Sequence, residues 1–274
     1  MPVAGGGPLN SSSLLDTPLP WRLGAAVRFG WREFLAVNPP SVLGGSILPR
    51  MVLQTLFFTL LGGVVAGARH QEYAYVGGLM LALAMTNILY VSQVPVADKE
   101  SVTFWRLRTG RLHPTALFIA RSLPYPLAGF GVVLVAAVVV APVAGLGDLA
   151  LRLAPMAFVY LLISFTATAA GLAAAAFVVG RRAETLASNL MGYVVMLCSG
   201  AFLPPGRVPV LDVVGAFLPG RHGLAAVHSW LRGDPWLSQV VIEAVVGIAW
   251  LGVAAVVVAV QIRRAHRHGH DDFA

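Results

Sequence analysis

Six blocks of the chain, at roughly 42–67, 75–97, 115–141, 153–179, 186–203 and 237–262, consist almost wholly of apolar residues. A helix needs about 20 such residues to cross the hydrocarbon core of a bilayer. Inside that core every backbone N–H and C=O must be bonded within the protein, so successive isolated blocks specify helices rather than an open sheet. The rest of the composition leaves no soluble alternative. With 57% hydrophobic and 11% charged residues and a mean hydropathy of +0.77, a water-soluble fold would expose large apolar patches. The sequence therefore specifies an all-α integral membrane protein with six transmembrane helices.

The net charge of +7 does not indicate nucleic acid, because the basic residues are scattered between apolar blocks instead of gathered on one face. Their distribution sets topology. With the N-terminus inside, the inner segments hold twelve basic residues, among them Arg22, Arg28, Arg32, Lys99, Arg181, Arg182, Arg263 and Arg264, and the outer loops hold five, Arg69, Arg152, Arg207, Arg221 and Arg232. Such a bias places both termini in the cytoplasm of a multi-pass protein of the bacterial cell membrane. Arg50 and Arg121 fall within or beside spans, where a long side chain snorkels to the inner headgroups.

Residues 1–20 are rich in Gly, Ser and Pro, which gives a flexible cytoplasmic tail with no basic-then-apolar signal peptide. Residues 21–40 place Leu23, Val27, Trp31 and Phe34 at helical spacing and Arg28 and Arg32 on another side. This pattern suits an amphipathic helix lying in the membrane interface, with membrane lipid as its partner. Pro39 and Pro40 end it. The transmembrane domain then occupies 41–262, and a basic tail, 263–274, carries His266, His268 and His270. Alternate histidines on a short exposed tail lack the supporting groups of a tight metal site. Cys198 is the single cysteine and forms no internal disulfide.

Signatures of enzymes are largely missing. The only lysine, Lys99, has no Gly-rich phosphate loop before it, so the chain has no P-loop of its own, and there is no H-E-x-x-H zinc pair. The "GLGD" at Gly145 to Asp148 matches the motif of intramembrane aspartyl proteases. That chemistry needs two carboxyls close enough to share a proton, whereas Asp98 belongs to the opposite end of the spans. An ordinary turn explains Gly and Asp there. "CSGA" at Cys198 to Ala201 lacks the glycine of a serine-protease G-x-S-G. Glu243 lies inside the sixth block, which makes it an intramembrane candidate for a pathway or, at the block's outer end, a carboxylate that reaches water. Gln54, Asn87, Gln93, Thr166 and Asn189 suit hydrogen bonds between helices, and "TATAAGLAAAA" at Thr166 to Ala176 suits close helix approach.

Two connecting segments carry the remaining information. "ADKESVTFWRLRTGRLHPTALFIARSL" joins the second and third spans as a basic loop with helix-forming content, while "SGAFLPPGRVPVLDVVGAFLPGRHGLAAVHSWLRGD" follows the fifth. The latter is greasy, yet Pro204, Pro205, Pro209 and Pro219 forbid a continuous spanning helix. Pro209 starts a short helix through Val210 to Leu218, Pro219 and Gly220 break it, and Gly233 ends a second. Such pieces form a re-entrant outer helical hairpin between helices five and six, packed on protein so that their broken backbones are satisfied.

Spans, basic loop and hairpin together resemble the ABC-2 type transporter permeases, the membrane subunits of exporters of the daunorubicin-resistance type, over about residues 21–262. The resemblance implies that Asp98, Lys99, Glu100, Trp105, Arg106 and Arg108 belong to a loop that couples to a separate ABC ATP-binding subunit. "SVT" stands where the family usually has Arg-Gly-Thr, and Trp105 stands near a common glutamate. It implies an outer hairpin marked here by Pro204, Pro209, Phe217, Leu218 and Pro219. It further implies ATP and Mg on the partner, no cofactor on this chain, a second permease copy or paralogue, and outward movement of a drug, natural product or lipid. An intramembrane protease and a non-transporting assembly factor are the competing classes.

Overall fold

A computed structural model describes residues 18–94, 112–178 and 184–268. Of the described residues 86% are helical and none is in a strand, which makes the class all-α. Helix α1 is Leu19–Val37. A single long helix, α2, runs Pro40–Ala66, with a π-helical turn at Leu43–Ile47 where the Leu48 N–H reaches back to the Leu43 carbonyl. Pro49 follows at once, and its missing N–H is what a locally widened turn accommodates.

Gly67 turns the chain into α3, Ala68–Val91. The third span is broken: α4, Pro114–Ser122, gives way at Leu123 to α5, Pro124–Val143. Pro124 cannot donate into the preceding turn and instead occupies the first position of a new helix. After a turn at Gly145, α6, Gly147–Leu153, and a 3₁₀ turn at Ala154–Met156 lead into α7, Ala157–Val178. Then come α8, Glu184–Cys198, α9, Pro209–Gly215, α10, Arg221–Arg232, and α11, Leu237–His268.

Among the described residues five helical segments are long and apolar enough to cross a membrane: Pro40–Ala66, Ala68–Val91, Thr115–Val143, Gly147–Val178 and Leu237–Gln261. The expected fifth block, 186–203, yields a shorter apolar helix that stops at Cys198. Helix α8 stops there because Ser199 and Gly200 leave helical geometry, Gly200 adopting φ +83°. At 15 residues α8 is shorter than the spanning segments, and it packs on α3 and α7. Its C-terminal end meets the beginning of α3, where the Tyr73 hydroxyl donates to the Gly200 carbonyl.

Helices α3 and α7 form the centre, with 83% and 78% of their spanning windows buried, against 22% for α2 and 17% for α11. All are apolar on every side, so burial is decided by what lies opposite each face: protein for the central pair, the surrounding apolar phase for the outer helices. The small-residue run in α7 sits in its most extensive packing, against α11 and α3. A Cβ on Gly171 would stand 2.7 Å from the Ile88 Cα. The bundle has two ends. One carries α1, the start of α4 and the C-terminal part of α11; the other carries Gly67, Gly145 and the α9–α10 pair.

Candidate functional site: the anchored helical pair and the α1 clamp

Helices α9 and α10 are stitched to their surroundings by side chains of α11 and by their own side chains reaching the backbones of α8 and α6. Pro209 opens α9 at its first position. The regular helix ends at Gly215, and tighter turns, Phe217 N–H to the Val214 carbonyl and Leu218 N–H to the Gly215 carbonyl, carry the chain on to the expected Leu218; a Cβ at Gly215 would lie 2.1 Å from the Cys198 carbonyl oxygen. Gly220 precedes α10 at φ +87° and Gly233 follows it at φ +78°. Both angles are left-handed, which glycine adopts at no steric cost.

Glu243 is the centre of the anchoring. Its carboxylate is completely buried. One oxygen accepts the Gly220 N–H at 2.8 Å and the Thr166 hydroxyl at 2.6 Å, and the other accepts the Gly223 N–H at 2.9 Å. Those two amides are among the otherwise unbonded donors at the start of α10, where the helix dipole favours negative charge. Glu243 thus caps α10 from a different helix and ties it to α7. The alternative of a carboxylate that just reaches water is corrected: burial is complete, and three donors from α7 and α10 replace the solvent.

Arg221 and His222 extend the network. Arg221 donates to the Asp212 carboxylate in a tight ion pair and to the Cys198 carbonyl at 3.3 Å. The Arg221 hydrogen bond, with a second from the Gly206 N–H, holds the Asp212 carboxyl below the usual carboxylate range. His222 lies 3.0 Å from both the Gln239 side-chain oxygen and the Ala216 carbonyl. Trp230 Nε1 donates to the Arg152 carbonyl and Trp250 Nε1 to the Phe217 carbonyl.

The expected hairpin residues divide. Leu218, Pro219 and Gly220 are buried, whereas Phe217 is 71% exposed and stands with Val210 and Val213 on an outward apolar face. Pro204 lies in the non-helical stretch after α8, partly buried. Asp148 sits in the first turn of α6, and Gly145, at φ +72°, makes the turn before it. Among the described residues no group of three or more His, Cys, Asp or Glu could hold a metal ion.

At the opposite end α1 is clamped to the broken span. Arg121, 3% exposed, forms a two-pronged ion pair with Glu33, its Nη2 lying 2.7 and 2.8 Å from the two carboxylate oxygens and its Nε 3.1 Å from Oε2. The guanidinium also lies over the Phe29 ring, at 5.2 Å. Gly30 lets the backbones meet, since a Cβ there would stand 2.5 Å from the Arg121 carbonyl oxygen. The expected snorkelling of Arg121 is corrected: Glu33, the one acidic residue of α1, holds it inside the protein. The packed face of α1 is Ala26, Gly30 and Phe34, and Trp31 belongs to its exposed side with Trp21, Phe29 and Leu35.

Asn87 donates to Ser164 Oγ at 2.5 Å and to its carbonyl at 3.1 Å, and Ser164 Oγ donates to the Pro126 carbonyl, which links α3, α7 and α5. Asp98, Lys99, Glu100, Trp105, Arg106 and Arg108 lie outside the described residues. Sequence reasoning missed Glu33, Asp212 and Arg221 as partners; an acidic residue alone in a basic amphipathic helix was the available signal for the first.

The model of the ABC-2 type transporter family matches residues 29–231, from the second half of α1 to the last turn of α10. The chain belongs to the ABC-2 type transporter family. It is a permease subunit, a transmembrane component without an ATP site of its own, and membership implies an ABC ATP-binding partner. The match stops short of α11, so Glu243 caps α10 from outside the matched stretch. No curated protein matches the chain.

Proposed function

We propose that this permease is the membrane subunit of a bacterial exporter, working as a dimer with itself or a paralogue and driven by two copies of a separate ATP-binding subunit that carries ATP and Mg. The α1 end faces the cytoplasm, in keeping with the basic bias, and α8 serves as a sixth, shorter crossing. The α9–α10 pair dips into the outer leaflet as a re-entrant hairpin, its exposed Phe217, Val210 and Val213 meeting lipid or the second permease. Residues 95–111, with Asp98, Lys99, Glu100, Trp105, Arg106 and Arg108, form the contact with the ATP-binding subunit. The substrate class is hydrophobic or amphiphilic: a drug, natural product or lipid.

The observation that carries this reading is the family match across 29–231, and the geometry at both ends supports it. Closure of an ATP-binding pair on the cytoplasmic side has to be transmitted as rigid-body movement. The Arg121–Glu33 clamp at one end and the Glu243 cap at the other tie the interfacial helix and the hairpin to the long helices between them.

The test is reconstitution with the ATP-binding subunit. Replacing Lys99 and Glu100 together by alanine is expected to lower permease-stimulated ATP hydrolysis about tenfold while leaving thermal stability unchanged, as loss of contacts at a protein interface does when the fold is untouched. Full stimulation by the double variant would remove those residues from the coupling contact.

A further inference from the structure

The broken third span borders a groove. Beside the junction of α4 and α5 at Leu123, a cavity of about 310 Å³ lies between this span, α7 and α11. Leu162, Ala169 and Leu172 of α7 floor it, Leu123 and Pro126 form one wall, and Ala244 and Ile248 of α11 form the other. From Leu162 to Leu172 the floor runs about 15 Å along a helix axis.

Three hydroxyls line this groove, and each already donates its proton to a protein acceptor. Ser122 donates to the Phe118 carbonyl, Thr168 to the Ser164 carbonyl, and Thr166 to Glu243 at 2.6 Å. Water needs two to four polar partners to occupy a cavity, and the other lining side chains are all apolar. The groove is continuous with the lipid-facing surface of the spans: Phe165, Ile248 and Leu251 at its rim are exposed. It sits in the middle of α7, away from both ends of the bundle. The phase that reaches it is hydrocarbon. An apolar cavity of about 150 Å³ already takes up benzene, and this one is twice that volume and elongated.

We propose that the groove holds one acyl chain of a membrane lipid, laid lengthwise between the broken third span and α11. The chain fills the cavity beside the α4–α5 junction and restores the packing contacts that an empty cavity forfeits. Because the floor residue Thr166 is also the donor to Glu243, the occupant lies against the back of the hairpin's anchor. The inference depends on the spans lying in a bilayer and not on the transported substrate.

The experiment uses the full-length permease in nanodiscs of phosphatidylethanolamine and phosphatidylglycerol doped with phosphatidylethanolamine carrying a diazirine in mid-chain. After photolysis, adducts are mapped by peptide mass spectrometry. Adducts on 162–172 and 244–251 are expected to exceed those on the plain lipid-facing surface of α2, around Leu53, Phe57 and Val64, by about tenfold, equivalent to ~1.4 kcal/mol of preference. Filling the groove with Ala244→Phe should abolish the excess and leave α2 labelling unchanged, and Leu162→Trp provides the same test from the floor. Equal labelling of the groove and α2 would overturn the proposal. So would an excess that both filled variants retain, or a groove free of lipid adducts and cross-linked to a second copy.

Discussion

The Glu243 carboxylate accepts the backbone N–H of Gly223 at 2.9 Å, from twenty residues along the chain and from a different helix. With Gly220 and Thr166 as its other donors, it closes a joint of three helices in which Glu243 is fully buried. Loss of one partner in such a joint leaves buried donors unsatisfied, at about 1–3 kcal/mol each.

Glu243→Ala is therefore expected to destabilise the permease by about 3 kcal/mol or more, with the damage localised to 199–236, where hydrogen exchange should rise first. Glu243→Gln keeps the shape and one acceptor oxygen, and should fall between wild type and alanine. Uniform loss of protection across the bundle would show that Glu243 supports the core at large and not the α9–α10 pair.

The Arg121–Glu33 pair yields a second expectation. Removing one member of a buried pair costs about 3–5 kcal/mol, whereas replacing both by apolar groups is close to neutral. Arg121→Ala should thus lower the melting temperature markedly, Glu33→Ala somewhat less because Glu33 is 16% exposed, and Arg121→Met with Glu33→Leu hardly at all. A double variant as unstable as Arg121→Ala would mean that the guanidinium's position over Phe29, and not its charge pairing, holds α1 in place.

Neighbouring hairpin residues should separate stability from transport. Leu218 is 5% exposed and Phe217 71%. Leu218→Asp buries a charge and should destabilise the fold by about 3 kcal/mol or more. Phe217→Asp should cost less stability than Leu218→Asp, because no protein core closes over residue 217, and still reduce export. Unaltered export by the Phe217 variant at normal expression would make the outward face a tolerant surface.

The legibility of this chain in its sequence follows from the physics of each element. Long apolar blocks are local signals, and α2, α3, α5, α7 and α11 stand where those blocks do. The fifth block misled because hydropathy does not register backbone geometry: Ala201, Phe202 and Leu203 are apolar, yet Ser199 and Gly200 end the helix before them. Proline and glycine located the α9–α10 pair through their backbone chemistry. Side-chain partnership was not legible. Arg121 and Glu33 are 88 residues apart in the chain, and Glu243 is as consistent with water or a pathway as with a helix cap until α10 is placed against it. Phe217 and Leu218 look alike by hydropathy, and only the turn after Gly215 sends one outward and the other into the core.

Coupling across the membrane is the central claim, and it is tested most directly by spin labels at Phe217→Cys in a reconstituted permease dimer with its ATP-binding subunit. The native Cys198 is buried and stays unlabelled. With a hydrolysis-deficient partner, adding ATP and Mg should shift the distance distribution between the two labels by several ångströms, and permease without the partner should show no shift. Identical distributions with and without ATP in the intact complex would contradict the account.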